Sequence, residues 1–428
     1  MKPGAPPDAG RSASRARGRG LAALLALGSL ALGAGAAADG FDPRAPHAVV
    51  VGAPRGAAPV VRVNAARDGL TQDPLPSKKL HVAWRKSTGA PLEGPPVVDE
   101  RGRVIVAGAR GDVVVLSPDG VELSRAATGA QGAGPLALTA DGTAVFTTSS
   151  GDVVGARGAT RRFLVHAGAP SSFKVAPLPM RDGGFVVAVG AALVLLDTEG
   201  QERARAHGPE PFVGTLVAVG ARVLGASRGG TVFSWSPGGE IVRVGSFRAP
   251  LDGGLTVEDG VRLLAVTDGR QVTELDLARG ATRPRGTAPQ GSIYLGPLAL
   301  SRGYIVLQGV GLGSTYLVVL DRTGRETRVP FGPSSPTLIP LLPDGGTPPL
   351  VAPPHTGALV DARGTIAFLT PTGVVGVSSP ESGTSTLAEP VCGPSVGRLA
   401  VIPGLAPAGP QAFVVACENG AVVKVVGE

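Results

Sequence analysis

Between Asp99 and Gly120 the chain reads DERGRVIVAGARGDVVVLSPDG, in which the apolar runs VIVA and VVVL alternate with polar, glycine-bearing turns. Both runs are too short for a helix and rich in β-branched residues, so they are predicted strands. Gly102, Gly111 and Gly120 fall between the runs, where tight hairpins require a positive φ that other residues reach only at a steric cost. Two explanations are open from this stretch alone: a local pair of hairpins, or one sample of a rhythm that fills the chain.

The rhythm fills the chain. An apolar stretch opens at Gly94, Gly134, Ala176, Gly214, Gly253, Gly296, Gly357 and Gly397, at intervals of 40, 42, 38, 39, 43, 61 and 40 residues. A first turn glycine follows each opening, at Gly102, Gly142, Gly184, Gly220, Gly260, Gly303, Gly364 and Gly404. A second follows at Gly111, Gly151, Gly190, Gly229, Gly269, Gly311, Gly373 and Gly420, and a third closes most units at Gly120, Gly158, Gly200, Gly239, Gly280, Gly324 and Gly383. Three turns cut each unit into four strands of about five to seven residues, and a period near 40 built this way is the signature of a β-propeller blade. The expected fold is all-β: an eight-bladed β-propeller of four-stranded blades spanning residues 80–428. The last unit lacks its outermost strand, while LHVAWRKS (Leu80–Ser87) precedes the first unit and belongs to no other. Supplying that N-terminal strand to the eighth blade would pair two open edges and close the ring. The one long interval holds a proline-rich stretch around residues 332–356, expected as an insertion in a connection.

Composition sharpens this picture. Gly (65) and Pro (40) are abundant, yet the hydrophobic fraction is 43%, which fits many turns between short strands better than disorder. The net charge of +7 falls to +3 once residues 1–38 are set aside, and aromatic residues are only 4%. Nucleic-acid binding then lacks both an electrostatic footprint and a stacking platform. Residues 1–38 combine an Arg-rich start, the apolar run Leu21–Ala38 and small residues with A-x-A spacing, the pattern of a secretory signal peptide cleaved near Ala38; an uncleaved N-terminal anchor is the alternative. No cysteine follows the run to carry a lipid and no Arg-Arg pair precedes it. Residues 39–79 are Pro/Ala/Gly-rich and read as a linker or loosely held N-terminal arm. Export to the periplasm or beyond is expected.

The units GPPVVDERGRVIVAGARGDVVVLSPDG and GPLALTADGTAVFTTSSGDVVGARG resemble the blade of the pyrroloquinoline-quinone-like (PQQ-like) propeller repeat, and Arg62–Gly89 resembles that family's lead-in, with an R…G…W…TG pattern. The likeness covers about residues 62–428 and bears on fold more than on function. Quinone-dependent members are similar to one another in tryptophan-rich motifs, an adjacent cysteine pair and a Ca²⁺ held by carboxylate and amide oxygens. Here there are only Trp84 and Trp235, and two cysteines 25 residues apart. The resemblance therefore points to the quinone-free branch, with scaffolds of the BamB type, and implies a docking role; no small-molecule cofactor and no metal are expected.

Remaining motifs add little chemistry. GASRG (Gly225–Gly229) places Ser227 in a G-x-S-x-G pattern, but that pattern needs a strand-to-helix elbow and here falls on a hairpin. His47, His81, His166, His207 and His355 are scattered, without ligand spacing. GVGLGS (Gly309–Ser314) lacks the Lys of a phosphate loop. ARGD (Ala109–Asp112), DTEG and SPDG fit ordinary turns. Cys392 precedes the innermost strand of the eighth unit and Cys417 ends the strand returning beside it, so a structural disulfide is sterically reasonable in an oxidising compartment; two buried free thiols are the alternative. The expected function is non-enzymatic binding of an envelope protein by a monomeric propeller. An envelope hydrolase or lyase with residues gathered at the central channel is the competing reading.

Overall fold

Alternation explains why the strands look continuously apolar. In a strand, successive side chains point to opposite faces, and in the first blade Val104 and Val106 pack with Ala400, Val414 and Val422 of the eighth. Their neighbours Ile105 and Ala107 pack with Leu138, Phe146 and Val154 of the second. Both faces of the sheet are thus buried, one against each neighbouring blade. The same arrangement joins blades two and three through Val145, Phe163 and Phe185, and blades seven and eight through Val377, Leu399 and Phe413. Hydrophobic layers between blades hold the ring together, at roughly 25 cal/mol per Å² of apolar surface removed from water.

The computed structural model describes residues 63–333 and 357–428, apart from 65, 66, 68, 72, 73, 172, 173, 181, 182, 302, 312, 313, 371, 372, 380–382, 388, 389, 394–396 and 403–411. Every regular element among them is a strand. Eight sheets form: seven take four strands each and one takes five. Blades one to six follow chain order, from Val97–Val98 to Ala127, Ala137–Leu138 to His166, Leu178–Pro179 to His207, Phe212 to Ser246, Leu251 to Thr287 and Ile293 to Pro333. The seventh runs from Leu359 to Thr386. The eighth combines Gly397–Ile402, Ala412–Cys417 and Ala421–Val426 with the N-terminal strand His81–Ser87. That strand pairs antiparallel with the last one, His81 opposite Val426 and Ser87 opposite Ala421. The ring therefore closes as the sequence leads one to expect. Trp84 reinforces the closure: its indole Nε1 donates to Pro118 O of blade one at 2.9 Å, and Lys424 Nζ donates to the same carbonyl at 2.9 Å.

The turn glycines are largely where the spacing puts them: Gly102, Gly111 and Gly120 have φ of 70°, 80° and 82°. Among the described residues Gly311 ends a strand without a positive φ, Gly404 lies outside them, and three turns differ by one residue because each contains a glycine pair. Gly183, Gly230 and Gly238 take the positive φ, where Gly184, Gly229 and Gly239 were expected. Strand lengths also depart from five to seven residues. The inner strands of blades one to three have two residues, whereas Phe212–Val219, Leu251–Glu258 and Ile293–Ser301 have eight, eight and nine. Each long strand contains a bulge, between Val213 and Val217, Asp252 and Thr256, and Leu295 and Ala299. Gly214 and Gly253 permit the close backbone approach there; a Cβ on Gly214 would lie 2.6 Å from Gly254 Cα.

Part of the stretch read as a linker is held by the propeller. Leu70–Thr71 forms the fifth strand of the seventh sheet, parallel to its inner strand with Leu70 opposite Val360. Leu75 is buried in the layer between blades seven and eight. The remainder of residues 1–62 lies outside the described residues, as does the proline-rich insertion beyond Pro333.

Candidate functional site

In a propeller the inner strands surround the axis, so the axis is the first place to look for convergent groups. Here a segment of the same chain occupies it. Arg67 is completely buried. Its Nη2 donates to Pro177 O at 2.8 Å, beside the inner strand of blade three, and its Nε to Leu216 O at 3.2 Å in the inner strand of blade four. Its own carbonyl accepts from Thr256 Oγ1 at 3.4 Å in the inner strand of blade five. Two residues later Gly69 O accepts from Val360 N at 2.9 Å, in blade seven. One short segment thus touches four blades around the ring.

The bulges explain why this cradle exists. Leu216 lies within the bulged part of its strand, where the cross-strand ladder is interrupted, so its carbonyl needs a partner outside the sheet. A guanidinium presents several donors in a planar fork and stays charged at any ordinary pH. Burying it costs desolvation, which hydrogen bonds to ionised donors offset better than neutral ones do. Asp361 fastens the exit of the segment: its Oδ2 accepts from Leu75 N at 2.9 Å, and its Oδ1 from Arg363 N and Thr365 N, each at 2.8 Å. From there Ser77 N and Lys78 N both donate to Glu428 O, and the chain enters the closing strand.

A second buried arginine stands on the inner strand of blade eight. Arg398 donates from Nη1 to Leu92 O at 3.3 Å and from Nη2 to Glu418 Oε1 at 3.0 Å. Burial pushes its pKa below the usual arginine value, against the attraction of Glu418. In blade five, Glu274 accepts from Arg283 and Arg285, while Arg285 also reaches Glu258 at 3.0 Å. Burial alone would raise the Glu274 pKa, but the hydrogen bonds from Arg283 and Arg285 hold it below the ordinary carboxylate value. These groups lock strands to one another.

The residues singled out from sequence are spread over separate places. Cys392 and Cys417 are joined in a disulfide with Cα atoms 5.4 Å apart, both buried. Ser227 is buried at the end of a strand and accepts from Thr231 N at 3.3 Å; no helix follows it, so no nucleophile elbow forms. Trp235 is buried, donating to Gly239 O. His166 pairs with Asp152 at 2.9 Å, His81 and His207 are exposed on other blades, and His47 and His355 lie outside the described residues. In ARGD, Gly111 makes the turn that the repeat uses elsewhere, with φ 80°. The aspartate of DTEG and the serine of SPDG serve turns: Asp197 Oδ1 accepts from Glu199 N and Gln201 N, and Ser117 Oγ from Asp119 N and Val121 N. Gly309 of GVGLGS sits in a strand against the Tyr316 ring. Among the described residues no three His, Cys, Asp or Glu side chains converge as a metal-binding group. The sequence reading missed Arg67 and Asp361. Its only signal for the first was the R…G…W…TG pattern of the lead-in, which frames Arg67, Gly69 and Trp84.

The strands and the residues at their centre define an eight-bladed β-propeller whose own N-terminal segment bridges the inner strands across the axis. No protein-family model and no curated protein matches the sequence. Among solved structures it is similar to BamB from Moraxella catarrhalis, with 16% identity, a TM-score of 0.53, and coverage of 81% of this chain and 97% of that one. A quinohemoprotein alcohol dehydrogenase from Pseudomonas putida HK5 matches with 10% identity, a TM-score of 0.63 and coverage of 87% and 80%. Sqt1 of Saccharomyces cerevisiae matches with 10% identity, a TM-score of 0.60 and coverage of 81% and 98%. At these identities the likeness is one of fold, and one fold hosts unrelated activities.

Proposed function

We propose that this protein is an exported, non-enzymatic scaffold of the cell envelope that docks a protein partner through its loop-bearing faces and outer strands. The filled axis carries the reading. Catalytic and cofactor sites are concave and need convergent polar groups around an accessible centre. Here Pro177 O, beside the inner strand of blade three, and Leu216 O, in that of blade four, face Arg67 of the same chain, which leaves the faces and the rim for recognition. The fold is shared by BamB and by the dehydrogenase; the resemblance of the blade to quinone-free scaffolds, with only Trp84 and Trp235 in the chain, supports the scaffold reading. The Cys392–Cys417 disulfide supports an oxidising compartment, in keeping with residues 1–38 as a cleaved leader. Within this reading, residues 39–62 are a linker and the proline-rich insertion is the favoured contact, since a connection of that length commonly carries function.

The test is affinity capture from solubilised cell envelope with the chain from Asp39 as bait, beside a variant in which residues 334–356 are replaced by a short Gly-Ser linker. A single envelope protein retained in stoichiometric amount, and lost with the insertion, is the expected result. Retention of nothing by either bait, or turnover of envelope polymers by the purified chain, would contradict it.

A further inference from the structure

We propose that the axial segment Arg67–Leu75 is an exchangeable strap: the ring of inner strands is a binding site for an extended peptide carrying an arginine just ahead of a short parallel strand, and the chain's own segment is its resident occupant. The site is built by the ring rather than by the strap. The bulge in the inner strand of blade four leaves Leu216 O outside the ladder, and that carbonyl, with Pro177 O, receives the Arg67 guanidinium, while the Thr256 hydroxyl of blade five donates to Arg67 O. The edge of Val360–Asp361 then accepts Leu70–Thr71 as an added parallel strand. Strand addition with one side-chain anchor is a recurring mode of peptide recognition.

The strap has the shorter of two N-terminal strand pairings. The closing strand His81–Ser87 is paired at six of its seven residues, with a bulge at Ala83, whereas the strap pairs through two residues. Val63 and Arg67 have φ of 73° and 55°, a left-handed backbone that non-glycine residues adopt only at a cost. Local opening starts where strand pairing is short and the backbone strained, so in this proposal the strap opens while the ring, held by Ser77 and Lys78 on Glu428 O, stays closed. The same segment of a second copy, or a free peptide of that sequence, then fits the emptied axis. This holds whether or not an envelope partner docks on the faces.

The experiment uses the purified chain, its Arg67→Glu variant, and a fluorescein-labelled synthetic peptide of residues 63–76. In the variant a carboxylate faces the carbonyls that bound the guanidinium, which empties the axis. Fluorescence anisotropy is expected to show the peptide binding the variant at least about tenfold more tightly than the unmodified chain, whose site is already occupied. A peptide with alanine at the Arg67 position is expected to bind about tenfold more weakly. Hydrogen exchange on the unmodified chain gives a second measurement, independent of whether the variant folds. The amides of Leu75 and Val360, bonded to Asp361 Oδ2 and Gly69 O, are expected to exchange at least about tenfold faster than Phe413 in the blade core. A folded variant that takes up no peptide would overturn the proposal. So would equal peptide binding by both proteins, or exchange of Leu75 and Val360 only at the rate of global unfolding.

Discussion

Breaking the Cys392–Cys417 bridge should destabilise the blade that closes the ring, by an amount that can be worked from its position. The two residues are 25 apart in sequence, and the loop-entropy relation gives about 3.5 kcal/mol for a loop of that length. Unfolding entropy of about 2.1 cal/mol/K per residue, over the roughly 310 described residues, amounts to about 0.65 kcal/mol/K, so the melting temperature should drop by about 5 °C. The neighbourhood adds to this. Asn419 Nδ2 donates to Cys392 O at 3.1 Å, and Gly397 packs directly against the Cys392 sulfur, so the bridge holds the inner end of blade eight in register. The assay is differential scanning calorimetry of the oxidised chain, the reduced chain and the Cys392→Ala/Cys417→Ala variant, with mass spectrometry confirming complete reduction. Reduction tests the cross-link with packing almost unchanged, and the double variant adds the loss of two buried sulfurs. A fully reduced chain that melts within about 1 °C of the oxidised one would refute the reasoning.

Other outcomes follow from single residues. Arg67→Ala leaves buried carbonyls at Pro177 and Leu216 without their donor and is expected to cost about 3 kcal/mol in a denaturant titration. Trp84→Ala removes a half-buried ring and its bond to Pro118 O; a loss of about 2–3 kcal/mol by the same titration is expected. Gly111→Ala and Gly142→Ala share a φ near 80°, but a Cβ at Gly111 would lie 2.1 Å from Ala130 O while the one at Gly142 meets nothing within 4 Å. The first should therefore cost at least about 2 kcal/mol more than the second, which pays only the left-handed backbone penalty. The folded-state pKa of Glu274 lies below its ordinary 4.5, burial being outweighed by Arg283 and Arg285. Its contribution is then fully present above about pH 4.5 and lost as the pH falls through the lower folded value. Melting temperatures followed downward from pH 6 should fall in that window, and less steeply in Glu274→Gln.

The blade repeat was legible because each hairpin is a local event: a β-branched run, a turn residue, another run. Ser117, Asp197 and Asp321 accept amides from two and four residues ahead, and that chemistry is written in adjacent letters. Where two glycines stand together, as at Gly229 and Gly230, the sequence does not say which one turns, because either has the freedom to do so. The lengths of the inner strands were hidden for a related reason, since a bulge interrupts pairing without interrupting the apolar run. Arg67 was harder. Its partners Pro177 and Leu216 are 110 and 149 residues away, and the strand that follows it is only two residues long, so no period announces it. A basic residue in a Pro/Ala/Gly-rich stretch reads as solvated until the ring that encloses it is assembled.

Native-state proteolysis tests the filled axis most directly. Trypsin requires an arginine in an accessible, extended backbone, and Arg67 is fully buried with its guanidinium bonded to two blades, whereas Arg110, Arg228 and Arg279 are exposed on turns. With the native chain sampled over time and its fragments identified by mass, the bond after Arg67 should outlast those at the exposed arginines. It should be cut only as the whole ring unfolds or as the strap opens, at least about tenfold more slowly. Cleavage after Arg67 as fast as at Arg228, with the blades still intact, would mean that the axis is open, and the case for recognition on the faces and rim would lose its foundation.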